Sequence, residues 1–209
     1  MNNFIVSPQK DHQMKVWLYA AIVAVVLTYA RPFIFASDSS NVIMIGLRKL
    51  FDTEWVTSIF HIAYWVLFVW IVGQLIMSFP SSMKWTKGSL WVVLAAYVIR
   101  ILFGYIVPLP DFHSPSFATY QWVSIGISMI YTAALLFFSY LLIHNHKGRL
   151  RHLGISIAIW QIAPFLISLL NLTLYPISSI WSLVVLAIQM GLTIWTFVMM
   201  RRVYVPMWT

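Results

Sequence analysis

Arg100 is a charged residue inside an otherwise apolar stretch, residues 95–103. A cation at the centre of a membrane span costs at least about 2.5 kcal/mol, so its side chain should pair with an acid, reach the membrane surface or face water. Tyr97 lies on the same face of a helix, one turn earlier. Two roles are open: Arg100 binds an anion or a lipid headgroup, or it forms a structural ion pair with an acid such as Glu54.

Amide and hydroxyl side chains repeat along three later apolar stretches, and they include Gln161, Asn171 and Gln189. Steps of three, four or seven residues place such side chains on one face of a helix. They either hydrogen-bond neighbouring helices, at about 0.6 kcal/mol each, or line a path for a solute. Pro164 lies between the first two and predicts a kink.

Catalytic and cofactor motifs are scarce. His61 lies in the second apolar stretch and could bind haem with a second histidine such as His113, but no spacing favours that pair. The sequence has no Cys, which excludes thiolate metal sites, and it lacks zinc-protease, serine-hydrolase and P-loop motifs. We therefore expect a protein without enzymatic activity and without a bound cofactor.

Composition decides the class of protein. Hydrophobic residues make up 61% and charged residues 9% of the 209 residues, against about 45–50% and 25% in soluble domains. So few charges exclude a soluble globular domain, a disordered chain and a coiled coil. The net charge is +8, but the cations flank apolar stretches, which favours anionic lipid headgroups over nucleic acid as partners.

Six stretches are long and apolar enough to span a bilayer as helices, since about 20 such residues are needed. The sequence therefore predicts an all-α, polytopic integral membrane protein with a single domain over residues 1–209. The spans are expected at 16–35, 56–79, 90–108, 120–143, 153–172 and 178–200.

The loops between these spans differ in charge. Nine of the 13 Lys and Arg residues flank one side of the predicted spans and three the other, and the positive side is normally cytoplasmic. We therefore expect the protein in the plasma membrane, with both termini in the cytoplasm. The N-terminal segment 1–14 belongs to this cytoplasmic side. Five of these cations form a predicted basic rim that faces anionic headgroups or a partner: Lys147, Arg149, Arg151, Arg201 and Arg202.

The outer loop 36–55 contains an apolar segment, 42–51, with adjacent Arg48 and Lys49. It is too short to span, so we expect a helix that lies in the membrane interface. Such a helix either packs over the bundle as a lid or gates a cavity.

Segment 79–89 (Phe-Pro-Ser-Ser-Met-Lys-Trp-Thr-Lys-Gly-Ser) ends one apolar span in a short polar loop, and Ala95-Ala96-Tyr97 lies in the next. The stretch from Phe60 to Pro108, which contains these residues, resembles the membrane domain of Yip-type proteins. Segment 180–186 is also similar, and the match covers about a third of the chain. Arg100 departs from the helix-breaking Pro often found after that Ala-Tyr. The resemblance implies a non-enzymatic membrane protein associated with exporters in bacteria or with vesicle traffic in eukaryotes.

The six spans, the basic charge and the cytoplasmic termini also resemble the substrate-binding subunits of energy-coupling-factor vitamin transporters. That resemblance implies that the first helix contacts a coupling subunit through small residues, here Ala20 and Ala24. It also implies that the first outer loop covers the ligand.

The sequence thus predicts a membrane subunit or accessory component of an exporter-type transport assembly. Its expected partners are anionic lipids and other membrane subunits. The alternatives are a vitamin-type substrate-binding subunit and a small haem-binding oxidoreductase that uses His61.

Overall fold

The computed structural model describes residues 4–36, 42–111, 113–173 and 179–207, apart from the side chains of 42, 54, 57, 115, 168–173 and 179–181. Two short strands lie at the two ends of the chain, and seven helices lie between them. In chain order the elements are β1 (Phe4–Val6), α1 (Pro8–Ala36), α2 (Val42–Asp52), α3 (Glu54–Ser78), α4 (Lys84–Ile106), α5 (Pro115–Asn145), α6 (Gly148–Thr173), α7 (Ser179–Val203) and β2 (Tyr204–Pro206).

The prediction of an all-α, multi-pass membrane protein is confirmed, because α1 and α3–α7 are long and apolar enough to cross a membrane. Several helices extend past the predicted apolar spans into polar sequence. Helix α1 begins at Pro8, inside the N-terminal segment 1–14, because the Ser7 hydroxyl accepts the Lys10 backbone N–H at 3.3 Å. Proline suits the first helical position, where an N–H would have no helical partner.

The spanning helices form a closed ring. Around it, α1 packs against α3, followed by α4, α5, α6 and α7, and α7 packs back against α1. Large apolar side chains fill the half of the ring nearest the chain termini, among them Leu18, Phe68, Phe138 and Phe197. The opposite half of the ring is therefore where space for a ligand remains.

Segment 42–51 is helical as expected and forms most of α2. The helix contacts α1 and α3 at the end of the ring opposite the termini. Phe51 is buried, with its ring 5.7 Å from that of Phe60, and Arg48 Nε donates to the Ile34 carbonyl at 3.4 Å. Ile43 and Leu50 remain exposed, as an interfacial helix requires.

The two ends of the chain join at the seam between α1 and α7. Strands β1 and β2 pair in parallel, with Phe4 opposite Tyr204, so both termini lie at the same end of the ring. Burial raises the pKa of Tyr204 to about 12.

Asp11 is the buried charge at this seam, with only 3% of its surface exposed. Its carboxylate lies 2.9 Å from Lys15 Nζ. Arg201 Nη2 lies 3.0 Å from Asp11 Oδ1 and donates to Oδ2 at 3.3 Å. Since Arg201 belongs to α7 and Asp11 to α1, this ion pair ties together the first and last spanning helices.

Helices α5 and α6 approach most closely at Gly154. The Ser139 hydroxyl donates to the Gly154 carbonyl at 2.6 Å. A Cβ atom on Gly154 would lie 2.8 Å from Leu142 Cβ and 2.9 Å from the Ser139 carbonyl oxygen. Small residues allow such contact between membrane helices, so glycine is required here for steric reasons.

We expect Gly154→Ala to destabilise the protein by about 1–3 kcal/mol, because the added methyl group forces α5 and α6 apart. Thermal unfolding of purified protein in detergent measures the effect. Gly191→Ala is the matched control, since a Cβ there meets nothing within 4 Å and alanine is the better helix former. Equal stability of the two variants would contradict the close approach.

We expect Asp11→Asn to lower the free energy of unfolding by about 3 kcal/mol, because it leaves a largely buried Arg201 without its counter-charge. Adding Arg201→Gln should recover part of that loss. The exposed partner provides the control: Lys15→Gln should cost less than about 1 kcal/mol. Thermal unfolding and protease sensitivity of the termini report the change, and a loss for Lys15→Gln as large as that for Asp11→Asn would contradict this assignment.

Candidate functional site

A cavity of about 670 Å³ lies within the ring, in the half opposite the chain termini. Every spanning helix contributes to its wall, and most of the lining side chains are aromatic or carry an amide or hydroxyl group. We call it the tyrosine cavity. It is lined by Tyr29, Tyr64, Trp65, Tyr97, Arg100, Ile101, Gly104, Tyr105, Tyr131, Thr132, Trp160, Gln161, Pro164 and Gln189.

Four of the six ligand or helix-pairing candidates from the sequence meet in this cavity: Arg100, Tyr97, Gln161 and Gln189. They come from helices α4, α6 and α7, so the ring brings together residues that are up to 92 positions apart in the chain. The side chains of the other two candidates, Glu54 and Asn171, lie outside the described residues. The predicted Arg100–Glu54 pair therefore stays a prediction.

Arg100 lies six residues before the end of α4, about 9 Å along the helix from its C-terminal end. Its side chain is exposed on the cavity wall. It shares that wall with four tyrosines, Tyr29, Tyr64, Tyr97 and Tyr131. Both ion pairs in the described part of the chain belong to Asp11, so no described carboxylate neutralises Arg100.

Tyr97 is held on the cavity wall by two other rings. Its ring centroid lies 4.3 Å from that of Phe68 and 5.7 Å from that of Tyr131. The residue is 7% exposed, and its hydroxyl has no hydrogen-bond partner among the described residues. The hydroxyl oxygen is almost completely inaccessible, and a buried hydroxyl without a partner costs about 1–3 kcal/mol, so it is an unsatisfied donor in the lining of the cavity.

The wall formed by α6 and α7 is fixed by hydrogen bonds. Trp160 Nε1 donates to the Thr193 hydroxyl at 2.9 Å, and that hydroxyl donates to the Gln189 carbonyl at 2.8 Å. One turn after Trp160, Pro164 lacks the N–H that would otherwise bond to the Trp160 carbonyl. The wall at Trp160 is therefore held in place by hydrogen bonds. The Trp160 carbonyl lacks the helical bond that a residue other than proline at position 164 would donate.

The lining of the cavity combines one charge with many polar and aromatic groups. Its described residues include a guanidinium, several phenols and two carboxamides. A guanidinium with several hydroxyls suits recognition of an anion. The arrangement can hold a small anion between polar donors and aromatic faces.

A second recess, of about 530 Å³, lies between α5 and α6 and shares Thr132 and Gln161 with the tyrosine cavity. Ser124 and Ser128, part of the predicted polar stripe on α5, line it rather than binding a neighbouring helix. Ser139, further along the same stripe, does bind α6. The stripe thus divides into a part that holds helices together and a part that lines open space.

His61 does not line the tyrosine cavity. It is exposed on α3, and its ring centroid lies 6.1 Å from that of Trp65. Among the described residues, no group of three or more His, Cys, Asp and Glu side chains could hold a metal ion.

The predicted basic rim is divided by the structure. Lys147, Arg149, Arg151 and Arg202 are exposed at the end of the ring where the termini lie. Arg201 departs from the prediction, because its guanidinium pairs with Asp11 and donates to the Tyr204 carbonyl at 3.0 Å. Its role is to join α1 to α7.

Several residues of the site are missing from the sequence-based candidates, notably Tyr29, Tyr64, Tyr131 and Trp160. Each is an amphipathic ring placed well inside an apolar stretch, and a buried phenol or indole usually needs a hydrogen-bond partner. A polar group inside an apolar stretch is the signal that identified Arg100. These four residues carry a weaker form of the same signal, and it could have identified them.

No family model, curated protein sequence or solved structure matches this chain. The site is therefore interpreted from its own geometry and chemistry.

Proposed function

We propose that the protein is a non-enzymatic membrane subunit that binds a small anionic molecule in the tyrosine cavity, as the ligand-binding component of a transport assembly. The observation that carries this proposal is Arg100, an exposed cation on the cavity wall that no described acid neutralises. An anionic group of a ligand would pair with it.

Electrostatics support an anionic ligand. An uncompensated cation within a membrane span is costly, and the phenol groups of the cavity offer the Arg100 guanidinium dipoles but no counter-charge. A carboxylate or phosphate can accept two parallel N–H bonds from arginine. The ligand would then supply the missing negative charge.

The size and the walls of the cavity support a small molecule with a flat or apolar part. A volume of about 670 Å³ falls within the range of about 300–1,000 Å³ typical of ligand sites. Trp65 and Tyr105 present rings at one side, with centroids 5.3 Å apart. The volume and the aromatic walls of the cavity favour the substrate-binding alternative. A purely accessory subunit would need neither such a cavity nor a cation inside its ring.

Orientation in the membrane follows from charge. The described cations Lys10, Lys15, Lys84 and Lys87 lie at the same end of the ring as the basic rim. If that end faces the cytoplasm, the tyrosine cavity lies in the outer half of the membrane, beneath α2. Ligand would then be taken from the outer side.

We expect protein purified gently from native membranes to release a small anion on denaturation, detected by mass spectrometry, and the same compound to raise the melting temperature when added back. Arg100→Gln should weaken its binding tenfold to a hundredfold, the value of a charged hydrogen bond of about 1.5–3 kcal/mol. Arg31→Gln is the control, because it removes an outer cation that does not line the cavity.

The competing explanation is a structural pair between Arg100 and Glu54. In that case Arg100→Met should unfold at lower temperature, and adding Glu54→Gln should restore stability. A restored double variant that retains the bound compound at wild-type affinity would contradict the proposed role of Arg100.

Reporter fusions at the two termini test the orientation. Fusions at Met1 and at Thr209 should both report the cytoplasm, because cations concentrate at that end. Both termini outside would invert the proposed direction of ligand entry, while the paired strands β1 and β2 require that the two reporters agree.

A further inference from the structure

A third recess, of about 800 Å³, lies at the end of the ring that carries the termini. It is bounded by α1, α6, α7 and β2. Cationic side chains lie at its membrane-surface end, namely Arg149, Arg201 and Arg202, together with His152. We call it the basic groove.

The groove lies on the outside of the ring, along α7. Helix α7 stands between α1 and α6, and its buried residues include Thr193, Phe197 and Met200. Its groove residues Trp195, Met199 and Arg202 recur at steps of four and three, so they form a different stripe of the same helix. Because this stripe faces away from the ring interior, the membrane lipids can reach it.

The charges in the groove are not equivalent. Arg201 is neutralised by Asp11, whereas Arg149 and Arg202 are exposed and take part in neither described ion pair. Arg149 Nη1 donates to the Arg202 carbonyl at 3.0 Å, which holds these two residues side by side and leaves the other guanidinium donors of Arg149 available. Two adjacent cations therefore face the groove with no described acid beside them.

The groove becomes less polar toward the membrane interior. Met199 and Trp195 lie about one and two turns deeper in α7 than Arg202. Ile155 lies about one turn deeper in α6 than His152, and Tyr19 of α1 closes the opposite side. The groove thus offers cations at the membrane surface and an apolar, partly aromatic channel below them.

We propose that the basic groove binds one anionic phospholipid, with its phosphate between Arg149 and Arg202 and an acyl chain along Tyr19, Ile155, Trp195 and Met199. Arginine forks match phosphate oxygens, and the channel below them continues toward the bilayer interior as an acyl chain does. The site is independent of the ligand in the tyrosine cavity. A lipid bound here would stabilise the contact between α1 and α7 that closes the ring.

Native mass spectrometry of the purified protein in detergent tests this, with dioleoyl-phosphatidylglycerol as the probe and dioleoyl-phosphatidylcholine as the neutral comparison. We expect phosphatidylglycerol to bind at least tenfold more tightly. The double variant Arg149→Gln/Arg202→Gln should bind it about thirtyfold more weakly, from about fivefold per surface cation. The matched control is Lys147→Gln/Arg151→Gln, which removes the same charge from the same end outside the groove and should change affinity less than about threefold.

Two further arms separate the parts of the proposal. Trp195→Ala should weaken binding severalfold through lost chain contact, while Trp91→Ala, which removes an exposed Trp on α4, should have no effect. Millimolar glycerol 3-phosphate should fail to displace the lipid. The proposal is overturned if the two double variants lose affinity equally, if both lipids bind alike, or if glycerol 3-phosphate competes, since the groove would then be a site for soluble phosphate.

Discussion

Closure of the ring between α1 and α7 is the contact on which the rest of the structure depends. The ion pair of Asp11 with Arg201 stabilises this contact, because the carboxylate is almost fully buried and an unpaired buried charge would be very costly. The paired strands β1 and β2 extend the same contact to the ends of the chain. Once α1 and α7 are joined, Tyr29 and Gln189 become walls of one cavity. An open row of helices would expose the same residues to lipid.

The elements of the fold could be predicted from the sequence because the bilayer imposes a length and a composition on each span. The same physics predicted that Arg100 must avoid hydrocarbon, and the structure gives it a cavity lined with phenols. The seam could not be predicted, because residues 4–6 and 204–206 carry no local signal that they pair across nearly the whole chain. The same limit applies to Arg201, which the sequence places in the basic rim. Counting charges by loop gives the sign of a cation but does not identify its partner.

The polar residues of the later spans show a second limit of sequence reasoning. Helical spacing predicts that Ser128, Thr132 and Ser139 are neighbours along α5, but not which of them meets another helix. In the ring, Ser139 lies where Gly154 lets α6 approach, so its hydroxyl bonds to that backbone. Ser128 and Thr132 lie where the same two helices leave a recess between them. The distance between α5 and α6 therefore decides whether a serine bonds to the neighbouring helix or lines a recess. Gly154 makes that distance short near Ser139.

The arginines at the two ends of the ring differ in their counter-charges. Arg201 has a carboxylate 3.0 Å away and needs nothing more, so it serves stability. Arg100 shares its cavity with four tyrosines, and no described acid lies beside it. Phenol dipoles stabilise a cation but leave its charge uncompensated, and such a charge attracts anions more strongly where water is scarce. On the proposed function, the ligand supplies to Arg100 the counter-charge that Asp11 supplies to Arg201, and an acid placed beside Arg100 would compete with that ligand.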